Sequence, residues 1–102
     1  IEQNKAGIES STQSIKKLRE KAKSLVLLSN DDITRTNMEK VSEILQYSDP
    51  VTNKDTEMIE KEISDTLDDY RDNIENGKTI TNINNVIHLI QMRNYKCQKG
   101  KR

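Results

Sequence analysis

The chain reads as an all-α protein, an up-and-down bundle of three to four amphipathic helices at about 10–28, 31–47, 54–76 and 80–97. Three observations predict this. Helix breakers are scarce, with three Gly and one Pro in 102 residues. Lys, Glu, Gln, Leu and Ile dominate, and these residues lose little freedom in a helix or pack well on its face. Apolar positions recur three and four apart, and no stretch alternates as a strand would.

The first helix covers about residues 10–28, and an earlier start also fits the pattern. Ile1, Ile8, Ile15 and Ala22 fall seven apart, with Leu18 and Leu25 at the second seam position. Asn4 and Ser11 interrupt that seam, so a bundle helix fits better than a dedicated coiled coil. Lys16, Lys17, Arg19, Lys21 and Lys23 are assigned to its exposed face. Ser29 or Asn30 is expected to cap the second helix, with Asp31 and Asp32 at its positive end. That helix turns Ile33, Met38, Val41, Ile44 and Leu45 inward. Residues 48–53 are a loop, because Pro50 lacks a donor and restrains Asp49.

The third helix carries a regular stripe of Ile59, Ile63, Thr66 or Leu67, Tyr70 and Ile74. Asn76-Gly77 is its stop signal. The fourth turns Ile83, Val86, Ile87 and Ile90 inward, with Tyr95 as a further candidate. Asn82, Asn84 and Asn85 soften its start. Residues 1–97 are expected to form a single domain, and 98–102 a basic, disordered tail.

Composition sets limits. Ile, Leu and Val number 12, 7 and 4, with no Phe or Trp, so the core must be thin and aliphatic. A second copy or an obligate partner would add to its stability. No apolar run approaches the ~20 residues of a membrane span. Cys97 stands alone and excludes an internal disulfide. None of the ten Asn lies in an Asn-x-Ser/Thr acceptor. These features point to an intracellular location, cytoplasmic or nuclear. The start at Ile1 suggests a fragment, and Lys99-Gly100-Lys101-Arg102 leaves a secreted precursor open.

Charge is segregated. Residues 55–75 hold nine acids and two bases, whereas residues 76–102 hold six bases and no acid. Opposed charge of this kind suggests contacts within the chain or with a partner. Asp68, Asp69, Asp72 and Glu75 lie in the C-terminal half of the third helix, where the macrodipole disfavours anions. A basic surface nearby would relieve them.

Catalysis has little support. His88 and Cys97 are the single residues of their types, and a closed zinc site needs four ligands. The isolated Gly residues make no phosphate loop. His88 is read as a partly buried structural residue. In its amphipathic pattern alone the chain resembles the helical bundles of membrane-trafficking adaptors and syntaxin-type regulatory domains.

The expected function is a non-catalytic, regulatory or adaptor-like protein-interaction module without cofactor or metal. Its candidate partner-binding residues are Asp65, Asp68, Asp69 and Asp72 on one side, and Lys16, Lys17, Arg93 and Lys96 on the other. The partner would be another protein or a second copy of the chain. The alternative is nucleic-acid binding through Arg93, Lys96, Lys99, Lys101 and Arg102, with Tyr95 offering a stacking face.

Overall fold

In the computed structural model, the backbone is described at residues 2–48, 52 and 54–100, and the side chains at 13–48, 52, 54 and 56–96. Four helices follow one another: α1 Glu2–Leu28, α2 Asp32–Gln46, α3 Lys54–Glu75 and α4 Asn84–Gly100. The described residues include no strand.

The bundle is made of two stacked hairpins. α1 packs on α2 and α3, and α4 packs on α3 and α2. Cross-helix bonds give the directions. Lys21 meets Ser64 and Asp68 while Asn30 meets Ile74, so α1 and α3 run parallel. Thr34 and Asn37 meet Ile80 while Asn94 meets Ser48, so α2 and α4 also run parallel. Glu60 with Arg93 and Tyr70 with Asn82 make α3 and α4 antiparallel. Direction therefore alternates along the chain, but among the described residues consecutive α2 and α3 do not pack on each other.

The core is aliphatic apart from Met38 and Tyr70. Ile15, Leu18, Ala22 and Leu25 of α1 are all buried. Ile1, and the side chains of Asn4, Ile8 and Ser11, lie outside the described residues, and so does the first half of that seam. α3 buries the stripe its spacing predicts, with Leu67 rather than Thr66 at the middle position. Each fully buried aliphatic side chain contributes on the order of 1.5–3 kcal/mol by leaving water.

Two inward assignments are corrected. Ile33 is 58% exposed, because the buried row of α2 begins one residue later, at Thr34. The Thr34 hydroxyl accepts the Ile80 N–H at 3.0 Å, which suits a polar residue to that buried position. Tyr95 is 64% exposed, because the Val86–Ile90 row continues to Arg93 instead. Ile44 and Ile87 do turn inward, packing half-buried against the edge of the core.

The helix ends also differ from expectation. The N-cap of α2 is Asp31, whose carboxylate accepts the Thr34 N–H at 2.7 Å. Neither Ser29 nor Asn30 serves there: the Ser29 hydroxyl donates to Leu25 O, and the Asn30 amide donates to Ile74 O. α3 ends as Asn76-Gly77 predicts. Gly77 takes φ +79°, its N–H donates to Ile74 O at 3.0 Å, and Lys78 N–H donates to Asn73 O at 2.8 Å. These are the paired bonds of a Schellman stop, in which glycine tolerates the left-handed backbone.

α4 begins at Asn84, four residues later than expected. Residues 78–83 are not helical and run against the start of α2. The Ile80 carbonyl there accepts from Asn37, and the Thr79 hydroxyl donates to Asp31. Ile80 is thereby buried without being helical. Asn82 Oδ1 accepts the Asn84 N–H at 2.9 Å, an Asx turn that launches the helix. At the other end α4 continues through Gln98 and Lys99 to Gly100, so the expected disordered tail is helical that far. Lys101 and Arg102 lie outside the described residues, as do most of the 48–53 loop, Pro50 included.

Candidate interaction surfaces

Arg93, a candidate partner-binding residue by sequence, is buried, and this is the largest correction at the site. Its side chain is 0% exposed. Its Nε donates to Glu60 Oε2 at 2.9 Å, and Glu60 is only 2% exposed. The Thr52 hydroxyl adds to Glu60 at 2.8 Å, and Arg93 Nη1 donates to Asn94 Oδ1 at 3.0 Å. A buried charge needs this degree of pairing, since desolvation alone would expel it. Arg93 thus joins α3, α4 and the loop before α3, and is not available to a partner. The spacing did carry a signal. Val86, Ile90 and Arg93 form one 4/3 row, as do Thr56, Glu60, Ile63 and Leu67.

The basic face of α1 is likewise partly used inside the molecule. Arg19 is half-buried and reaches the end of α2, donating to Leu45 O at 2.9 Å, Gln46 O at 3.2 Å and Ser48 O at 3.0 Å. The guanidinium caps carbonyls that the helix end leaves without partners. Lys21 donates to Ser64 Oγ at 2.7 Å and to Asp68 at 2.9 Å. Asp68 is therefore engaged by α1. Lys16, Lys17 and Lys96 are exposed.

The other described acids of α3, Glu60 apart, face outward. At about 100° per residue, Lys61, Asp65, Asp69 and Asp72 share an arc of about 80°. All four are exposed, and the three acids have no ion pair among the described residues. Arg71 approaches Glu75 at 3.8 Å across an exposed surface, which contributes little. Lys21 relieves only Asp68 of the anions crowded at this helix end. Burial pushes the Tyr70 hydroxyl to a raised pKa, and the charge of neighbouring Asp69 pushes the same way.

A second surface is apolar, and the charge pattern gives no sign of it. On the outer side of the α1–α2 hairpin an apolar groove of about 450 Å³ opens between Lys23, Val26 and Leu27 of α1 and Glu39, Ser42, Glu43, Gln46 and Tyr47. Leu27 is 86% exposed and Tyr47 83% exposed. Leu27 lies on the face of α1 opposite the buried row through Leu18, Ala22 and Leu25. In the sequence it is part of the Leu25-Val26-Leu27-Leu28 run, where a contiguous apolar stretch hides that one member points out.

His88 is exposed on α4, not partly buried as expected. The side chains of Cys97 and Lys99 lie outside the described residues. Among the described residues no three His, Cys, Asp or Glu side chains gather as metal ligands would, and no helix is long and apolar enough to cross a membrane.

Compared with protein-family models, with curated proteins and with solved structures, the chain matches none.

Proposed function

We propose that this chain is a non-catalytic helical protein-interaction module that binds through the outer groove of its α1–α2 hairpin. The carrying observation is the exposure of Leu27 and Tyr47 over an apolar groove, which other exposed apolar residues such as Ile33 and Met58 do not line. Burying such a patch supplies affinity, whereas exposed charge supplies mainly steering and salt sensitivity. The outward acids Asp65, Asp69 and Asp72 add a preference for basic partners. Lys16, Lys17 and Lys96 offer the opposite sign elsewhere on the surface.

The burial of Arg93 removes one residue from the set on which nucleic-acid binding would rest. An affinity capture from lysate, with and without nuclease, tests the proposal. Leu27→Glu should cut capture of protein partners at least about tenfold, as hot-spot truncations do. The triple change of Asp65, Asp69 and Asp72 to Asn should weaken capture mainly at low salt. Helicity should be unchanged in both. Capture insensitive to Leu27→Glu would remove the groove from the interface. Capture lost on nuclease treatment would favour the nucleic-acid reading instead.

A further inference from the structure

The groove has a property that selects among occupants. Its α1 wall carries Lys23, and its α2 wall carries Glu39 and Glu43. All three are exposed, and none makes an ion pair among the described residues. A partner of one charge sign would be attracted by one wall and repelled by the other. The same patch holds both a projecting apolar side chain, Leu27, and an apolar recess beside it.

This arrangement meets the requirement of an isologous two-fold interface, which must be self-complementary. Each patch must carry both members of every complementary pair, because residue i of one copy meets residue j of the other and the reverse. We infer that the groove is the contact of a homodimer, in which two α1–α2 hairpins pack face to face. Leu27 of each copy enters the recess of the other, and Lys23 of each copy faces Glu39 and Glu43 across the axis. The inference rests on the groove being an interaction surface and adds the identity of its occupant.

Sedimentation equilibrium on the full chain, from low-micromolar to near-millimolar concentration, tests it. The wild type should show a reversible monomer–dimer equilibrium. Leu27→Glu should raise the dissociation constant at least about tenfold. Lys23→Glu alone, and Glu39→Lys with Glu43→Lys, should each do the same by placing like charges opposite. An equimolar mixture of these two charge variants should recover dimers, because each contact then again sets acid against base. All the changes are at exposed positions, and circular dichroism should report unchanged helicity. A wild type that stays monomeric overturns the homodimer. If the groove variants nonetheless lose a different captured protein, the interaction-module reading stands; if they lose nothing, both fall. A dimer indifferent to Leu27→Glu, or a charge-swapped mixture that does not recover, also overturns the proposed contact.

Discussion

A single side chain, Arg93, changes most between the one-dimensional reading and the folded molecule. As a point on a charge map it belongs to a basic C-terminal segment. In the fold it sits at a core position, held at 2.9 Å from Glu60. Its removal should act through the charge left behind, since an unpaired buried carboxylate or guanidinium costs more than the pair contributes. Glu60→Ala should therefore lower unfolding free energy by about 3–5 kcal/mol in urea titration. The double change Glu60→Leu with Arg93→Met should recover most of that loss, because apolar residues of similar size need no partners there. Equal losses for the single and double variants would contradict the account. The row Val86, Ile90, Arg93 made Arg93 legible by spacing, but its charge argued for the surface, and only a partner placed by another helix could decide between them.

Helix ends show the same division between local and distant causes. Asn76-Gly77 stops α3 by purely local chemistry, which the sequence displays openly. The cap of α2 depends on more. Asp31 receives the Thr34 N–H and also the Thr79 hydroxyl, from a segment 48 residues away. The Thr34 N–H bond is the main reason its carboxyl lies below the usual 3.8, with Thr34 and Thr79 hydroxyls and Arg35 acting the same way against partial desolvation. A depressed folded pKa stabilises above the unfolded pKa and is lost as pH falls through the folded one. The stability difference between wild type and Asp31→Asn should therefore be constant at neutral pH and close below about pH 4 in thermal melts. A difference that persists unchanged in acid would show that the charge of Asp31 is not the cause. α4 starts late for a related reason. The Ile80 N–H and C=O are taken by Thr34 and Asn37, which competes with helix formation there.

At the scale of the molecule, the two hairpins are stitched by polar contacts as well as by the core. Lys21 and Asn30 join α1 to α3 and its end, Asn37 and Thr34 hold the α3–α4 connection, and Asn94 meets Ser48. Ser48 is a junction, since its hydroxyl accepts from Asn94 and its carbonyl accepts from Arg19. Neither hairpin covers its own apolar face, so the two should unfold together. Far-ultraviolet dichroism, which reports helix, and near-ultraviolet dichroism of the tyrosines should give coincident denaturation curves. Separate transitions would mean that one hairpin is stable alone. Charge segregation has its explanation at this scale too. Part of it is consumed inside the molecule, by Lys21 with Asp68 and Arg93 with Glu60, and the outward acids of α3 are what remains.

The sequence by itself determined the helical class, the four elements, nearly all of the core of α3 and the stop after it. Those follow from periodicity and from backbone preferences that act within a few residues. Tertiary structure alone decided which hairpins stack, where α4 begins, that Arg93 and Arg19 serve the fold, and that Leu27 and Tyr47 face solvent. Each of these depends on which atoms of a distant helix arrive beside a given residue. A pattern along one chain can say which face is apolar, but the partner that covers it, or leaves it open, is set only when the helices meet.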